Sequence, residues 1–250
     1  MAEIVYPPVI GAARTLFRAL DLKIRVEGAE RIPRTGGAVL VSNHISYLDF
    51  IFAGLAALPA KRLVRFMAKK EVFDHKISGP LMRGMHHIPV DRAAGAAAFG
   101  AALKSLKSGE IVGVFAEATI SQSFTVKEIK NGAVRMAVGA KVPMIPVALW
   151  GTQRLWTKGH PKKLFQRHVP ITILVGEPLH AKRGDDYDAV TADLRGRMTA
   201  LLDRAQRTYP EIPPGVWWQP RHLGGTAPTP EEADKLDAAE AEARAARHKS

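Results

Sequence analysis

The chain has 250 residues, enough for one large domain or two small ones with a substantial core. It contains no cysteine, which excludes disulfides, thiol nucleophiles and cysteine-ligated zinc. Hydrophobic residues at 46% and charged ones at 24% are ordinary for a folded protein, but a net charge of +12 points to a polyanionic partner: nucleic acid, an anionic membrane face or phosphorylated substrates.

No run of about 18 consecutive apolar residues occurs, so no transmembrane helix is expected. No basic segment followed by an apolar one opens the chain, so no signal peptide is expected either. From Val9 to about Leu20 the pattern is helical, with Ile10, Ala13, Leu16, Phe17 and Leu20 on one face and Arg14 and Arg18 off it. Such a helix suits the surface of anionic lipid, and equally suits packing on its own domain. Lys23 to Glu27 alternates like a strand, and residues 31–37 are rich in turn formers.

Ala38 to Val41 reads as a short buried strand, broken by Ser42, Asn43 and His44. Ser46 can cap a new helix, with Asp49 returning the hydrogen bond as in a capping box, and the apolar run Phe50 to Leu58 extends that helix until Pro59 stops it. His44 then stands at the carboxyl end of a strand, where open α/β sheets place their ligands. Asp49 lies one helical turn away. A carboxylate on one ring nitrogen fixes the tautomer and leaves the other nitrogen to take a proton, which makes His44 a candidate general base. The same two residues also read as a plain helix cap and a histidine at the edge of a core.

Leu63 to Ala68 is a second buried strand, delivering Lys69 and Lys70 to its end. A short strand over residues 86–90 ends in Asp91 and Arg92; on it His86 and His87 would face opposite ways, which argues against joint metal ligation. Ala93 to Lys107 is an alanine-rich helix with Ala98, Phe99, Ala102, Leu103 and Leu106 inward and Gly109 as its C-cap. The strand Ile111 to Phe115 opens onto Ala116, Glu117, Ala118, Thr119, Ile120 and Ser121. A loop with Lys127 and Lys130 leads to a helix over residues 132–140, followed by strands at 144–150 and 171–175.

A long amphipathic helix from Asp185 to about Gln206 carries Val190, Leu194, Met198, Leu201 and Leu202 at helical spacing. Its opening aspartates complement the helix dipole, so no metal site is assigned to them. Beyond Pro210 the composition shifts, and residues 226–250 read as a surface helix or a disordered tail. Trp217 and Trp218 are expected to pack on their own domain. Strands alternating with helices predict an α/β fold: a mostly parallel central sheet with helices on both faces, preceded by the N-terminal amphipathic helix. The expected divisions are residues 1–34 as helix and lead-in, 35–210 as catalytic domain and 211–250 as C-terminal extension.

The predicted strand ends share one chemical theme. One carries His44 and Asp49, another Arg92, another Glu117 and Thr119, and a fourth Lys69. A base beside an arginine and a lysine suits an anionic substrate with a hydroxyl to activate.

In this arrangement the chain resembles the glycerolipid acyltransferases of the lysophosphatidic-acid acyltransferase type. Their first motif, asparagine-histidine, four residues, aspartate, is matched by Asn43, His44 and Asp49. Their second, a hydrophobic stretch ending in arginine, is similar to Ile88 through Arg92, with Ala68 and Lys69 as the preceding alanine-lysine pair. The third, phenylalanine-proline-glutamate-glycine-threonine-arginine-serine, resembles Phe115 through Ser121, and a lysine-glycine element after it resembles Lys130 to Ala133. The fourth, apolar with a proline, matches Val142 through Val147. The resemblance covers roughly residues 36–150, with the four blocks in the family's order. The departures fall in the third block, where proline, glycine and arginine are replaced by Ala116, Ala118 and Ile120.

The resemblance implies transfer of a fatty acyl group from a thioester, on coenzyme A or acyl carrier protein, to a glycerol hydroxyl. No cofactor or metal is implied beyond that co-substrate. His44 would deprotonate the hydroxyl and Asp49 would orient His44. Asn43, Lys69, Arg92, Glu117, Thr119 and Lys130 would contact substrate, with Arg92 and Lys69 on the acceptor phosphate. Lys127 is a further candidate there, since the family's arginine is absent. Glu117 reads either as part of the glycerol pocket or as an ion-pair partner for Arg92 or a lysine. Backbone N–H groups near Ser46 are candidates for holding the oxyanion. The implied acceptor is 1-acyl-sn-glycerol 3-phosphate, with glycerol 3-phosphate, another lysophospholipid or a glycolipid as alternatives. The implied setting is the cytoplasmic face of an anionic membrane, as a peripheral protein. A catalytically silent lipid-binding module is the competing class, and a nucleic-acid partner is not expected, because the basic residues lack interleaved aromatics.

Overall fold

The computed structural model describes residues 3–91, 95–117, 119–210 and 213–247. Its strands are β1 (Lys23–Glu27), β2 (Ala38–Ser42), β3 (Val64–Lys69), β4 (Ile88–Val90), β5 (Ile111–Phe115), β6 (Met144–Trp150) and β7 (Pro170–Val175). They form one seven-stranded sheet in the order β1-β7-β6-β2-β5-β3-β4. Every pairing is parallel except β6 with β7. The sheet is mostly parallel, as predicted.

β2 lies centrally, and all five of its residues are buried. A strand covered on both faces reads as a continuous apolar run for this reason. Val39 and Val41 face a core built with α5 (Gly95–Lys107), α6 (Gly132–Ala140) and α7 (Tyr187–Arg207). Ala38 and Leu40 face the opposite core, which includes Phe52 and Ala53 of α2 (Asp49–Leu55) and the end of α1 (Tyr6–Ala19). Successive strand residues point to opposite faces, so one short strand serves both layers.

α1 begins at Tyr6, since Pro7 and Pro8 fit a first helical turn, where N–H groups have no intrahelical acceptor. Its apolar face is turned onto the domain. Phe17 stacks on Phe52 at 4.9 Å, and the Tyr6 hydroxyl donates to the Val64 carbonyl at 2.9 Å. Of the predicted face, Leu16 stays exposed. Of the two readings of this helix, packing on its own domain is the one observed.

Two local expectations are corrected, and one stretch that carried none is filled in. α2 ends at Leu55 rather than at Pro59, because the N–H groups of Ala56 and Ala57 turn to carbonyls three residues back, and Pro59 lies in the short 3-10 turn Leu58–Ala60. His86 has a left-handed backbone (φ 56) and precedes β4, so the alternation argument does not apply to it. Residues 70–84 fold as two short helices, α3 (Lys70–Asp74) and α4 (Ser78–Gly84), which no periodicity announced. The C-terminal helix α8 (Pro230–Arg247) forms behind a capping box: Glu232 N–H donates to Thr229 Oγ1 at 3.2 Å, and Thr229 N–H to Glu232 Oε2 at 2.9 Å. Trp218 is buried against Trp150 and Tyr209.

Candidate active site

β2 delivers Asn43 and His44 to the carboxyl edge of the sheet, between β5 and β6. Asn43 is fully buried, and its amide is used on both sides: Oδ1 accepts the Leu149 N–H at 2.7 Å and Nδ2 donates to the Leu149 carbonyl at 3.1 Å. It fastens the end of β2 to β6. The expectation that Asn43 contacts substrate is therefore replaced by a positioning role.

His44 is the exposed member of its pair. Nδ1 lies 3.1 Å from Asp49 Oδ2, the His44 side chain is 22% exposed and that of Asp49 is 0%. A carboxylate accepts, so Nδ1 carries the hydrogen and Nε2 is the nitrogen left for proton transfer. Asp49 Oδ2 also accepts the N–H groups of Ile45 and Ser46, each at 2.7 Å, and Oδ1 accepts the Thr152 hydroxyl at 2.6 Å. These bonds offset the cost of burying a carboxyl group. The capping box is modified: Asp49 reaches back to Ser46 N–H as expected, but Ser46 Oγ accepts from Leu48 rather than Asp49, and the helix opens at Asp49.

The same bonds correct the oxyanion expectation. The N–H groups of Ile45, Ser46, Tyr47 and Leu48 are all occupied, by Asp49, Asp49, the Trp156 carbonyl and Ser46 Oγ in turn. They hold the loop, and an oxyanion finds no donor among them.

The His44 ring stacks on Phe115 at 4.3 Å, and Phe115 stacks on Phe66 at 6.0 Å. Gly113 makes room for that ladder, since a Cβ there would sit 2.5 Å from a Phe66 ring carbon. At its far end His87 is buried and accepts the Phe66 N–H on Nδ1 at 3.0 Å. Burial lowers the His87 pKa to about 4, so it is a neutral core histidine.

Glu117 is 5% exposed, and Oε1 accepts the His44 N–H at 3.1 Å. Burial pushes its carboxyl up to about 8, against backbone hydrogen bonds from His44 and Lys127 that pull it down, and the nearby Asp49 charge adds to the rise. Oε2 has no hydrogen-bond partner among the described residues. Glu117 thus grips the backbone of the general-base candidate from beneath. The Ser121 N–H donates to the His44 carbonyl at 2.7 Å from the same loop.

The remaining candidates line the sheet edge less tightly. Thr119 is half-buried in a bend, and Lys69 and Lys130 are exposed, Lys69 at the carboxyl end of β3. Arg92 and Ala118 lie outside the described residues. Lys127 donates to Asp234 and Asp237 of α8, each at 2.8 Å, so its ammonium is engaged by carboxylates. Ile120, where the resembled family has arginine, is buried. Sequence reasoning missed Thr152, Trp156 and Thr157, which hold Asp49 and the segment after His44 in place, and the stacking of Phe115 on the His44 ring. The Gly151-Thr152 turn after a buried strand was the available signal.

An apolar cavity of about 240 Å³ lies between α1, α2 and α4, lined in part by Ile10, Phe50, Gly54 and Leu81, with His87 also on its wall. Phe50, on the wall of this cavity, follows Asp49 in the chain.

A partly exposed histidine braced by a buried aspartate thus stands at the edge of a mostly parallel α/β sheet, an arrangement with the chemistry for general-base catalysis. The chain belongs to the acyltransferase family, whose family model, described as Acyltransferase, matches residues 23–150. It is 34% identical over 190 residues to the 1-acyl-sn-glycerol-3-phosphate acyltransferase of Bacillus subtilis, covering 76% of this chain and 87% of that one. It is 29% identical over 185 residues to the chloroplastic 1-acyl-sn-glycerol-3-phosphate acyltransferase LPAT1 of Arabidopsis thaliana, covering 72% of this chain and 49% of the plant protein. The crystal structure of the 1-acyl-sn-glycerophosphate (LPA) acyltransferase PlsC from Thermotoga maritima shares the fold, with a TM-score of 0.67 and 22% identity over 82% of this chain and 81% of that one.

Proposed function

We propose that the protein transfers a fatty acyl group from a thioester donor, acyl-coenzyme A or acyl carrier protein, to the free hydroxyl of 1-acyl-sn-glycerol 3-phosphate, giving phosphatidic acid. The contact that carries this proposal is His44 Nδ1 on the fully buried Asp49. His44 Nε2 takes the proton of the acceptor hydroxyl as the oxygen attacks the thioester carbonyl. The tetrahedral intermediate then collapses, the carbon–sulfur bond breaks, and the imidazolium returns its proton to the leaving thiolate. Asp49 holds the tautomer that makes both transfers possible. No covalent acyl-enzyme is needed.

Lys69 and Arg92, in the positions that the family resemblance assigns to the acceptor phosphate, supply positive charge for it, with Lys130 nearby in sequence to the third block. Thr119 borders the glycerol. Glu117, held under the His44 backbone, shapes the floor of that pocket. The acyl chain occupies the apolar cavity, whose wall includes the exposed Leu81 and the half-buried Ser78, next to the exposed Ile77. Among the described residues no helix is long and apolar enough to cross a membrane. A net charge of +12 and exposed Ile4, Leu16, Ile77 and Leu81 support peripheral binding to an anionic, cytoplasm-facing leaflet.

The test is acyl transfer from palmitoyl-coenzyme A, with lysophosphatidic acid and glycerol 3-phosphate offered in parallel to wild type and His44→Ala. Phosphatidic acid formed from the first acceptor, and lost by about 10²–10⁴-fold in the variant, is the expected result. Turnover of glycerol 3-phosphate alone would reassign the acceptor. No turnover of either, or activity indifferent to His44, would refute the mechanism.

A further inference from the structure

Two loops hold the segment that carries His44. The loop after β5 supplies the Glu117 carboxyl oxygen as acceptor for the His44 N–H at 3.1 Å and the Ser121 N–H to the His44 carbonyl at 2.7 Å. The loop after β6 supplies the Thr157 hydroxyl to the Ile45 carbonyl at 2.7 Å, while the Trp156 carbonyl accepts Ser46 Oγ at 2.6 Å and the Tyr47 N–H at 3.2 Å. The histidine backbone is thus held by one loop and its three successors by the other.

One carboxylate joins these loops. Asp237 Oδ1 accepts Lys158 Nζ at 2.6 Å and Gln122 Nε2 at 3.2 Å, and Oδ2 accepts Lys127 Nζ at 2.8 Å. Gln122 adjoins Ser121, Lys158 adjoins Thr157, and Lys127 lies two residues before Ile129, which forms an isolated antiparallel bridge with Glu117. Two partners of Asp237, Gln122 and Lys158, therefore adjoin residues that touch the His44–Tyr47 backbone, and the third, Lys127, belongs to the same loop as Glu117 and Ser121. The cluster is sheltered: the side chains of Asp237, Lys127 and Lys158 are 16%, 18% and 12% exposed. Burial alone would push the Asp237 carboxyl up, yet hydrogen bonds from the two lysines outweigh it and hold the carboxyl below its usual range. Asp234 and Glu240 add second bonds to Lys127 and Lys158 from the same helix. Exposed ion pairs contribute little, but a screened carboxylate with three donors from two loops fixes geometry as well as charge.

We propose that Asp237, in the C-terminal helix and outside the family-matched residues 23–150, is a positioning residue for His44. It sets the distance between the two loops, and through them the backbone of the general base. The inference rests on the assignment of His44 as that base. α8 is thereby part of the catalytic apparatus and more than a cover.

The experiment compares wild type, Asp237→Asn, Asp237→Glu and Asp234→Asn. It reads kcat and KM for palmitoyl-coenzyme A and lysophosphatidic acid, melting temperature, and amide hydrogen exchange over residues 43–47. Asp237→Asn should lower kcat by about 10- to 100-fold, the range that a small misplacement of a reacting group produces, with both KM values within about twofold. Asp237→Glu should recover most of the loss. Asp234→Asn, which removes a bond to one lysine only, should stay within about threefold of wild type. Exchange over 43–47 should quicken in Asp237→Asn while β2 and β6 remain protected. The proposal is overturned if kcat survives in Asp237→Asn, if its loss follows a fall in melting temperature shared by Asp234→Asn, or if glutamate fails to rescue. Should wild type show no acyl transfer, the catalytic assignment fails by itself, and unchanged exchange over 43–47 would separately refute the brace.

Discussion

Thr152 donates its hydroxyl to Asp49 at 2.6 Å across 103 positions of chain, with both residues fully buried. This bond occupies the Asp49 oxygen that His44 does not use, so it fixes the carboxyl plane against which the imidazole is set. Thr152→Val keeps the shape and removes the donor. It should lower the unfolding free energy by about 1–3 kcal/mol, the cost of an unpaired buried acceptor, and depress kcat with little change in KM. Urea denaturation and steady-state kinetics on one preparation test both. A variant with wild-type kcat would show that Asp49 needs no second anchor.

Glu117 makes stability depend on pH. Its carboxyl is raised from 4.5 to about 8 in the folded state, so the native protein holds a proton that the unfolded chain has released between those values. That contribution is fully present below about 4.5 and is lost as pH rises through about 8. Glu117→Gln retains an acceptor for the His44 N–H and has no proton to lose. Its unfolding free energy should vary less than that of wild type across this range. Parallel curves would mean that the Glu117 carboxyl is not the source.

Gly54 lies on α2 against the cavity, where an added Cβ would meet only Phe66 at 3.6 Å and Tyr6 at 3.9 Å. Gly54→Leu therefore fits at its base and fills cavity space with its tip. The variant should fold, keep short-chain activity and lose rate with palmitoyl-coenzyme A relative to lauroyl-coenzyme A. An unchanged ratio would place the chain elsewhere.

Ile77 is 73% exposed next to Ser78, which lines the same cavity. Ile77→Glu should weaken co-sedimentation with phosphatidylglycerol-containing vesicles, and added salt should weaken the binding of wild type as well. Equal binding by both would remove this edge from the membrane contact.

The sheet was legible because its strands are buried on both faces, which turns them into apolar runs that the eye can find: β2, β5 and β6 all read that way. His44 and Asp49 were legible because a strand end and a helix start placed them together. Asn43 was misread because its partner, Leu149, is 106 positions away, and an amide's direction has no local signal. The oxyanion expectation failed for the same reason, since the Trp156 carbonyl that occupies Tyr47 comes from a distant loop. Asp237 sits in a segment whose alanine and charge read as surface, and only its three donors give it a role.

β1 pairs with β7, Lys23 opposite Pro170, so 147 residues (170 − 23) separate the partners. During synthesis, at about 5–20 residues per second, β1 waits on the order of ten seconds for the strand that covers its edge. Throughout that interval β1 lacks its pairing strand, whereas α1 can dock as soon as Phe52 and Val64 emerge. The order of emergence thus makes β1, paired only after residue 170, among the last elements to dock, and a slow, late phase of folding should report its arrival.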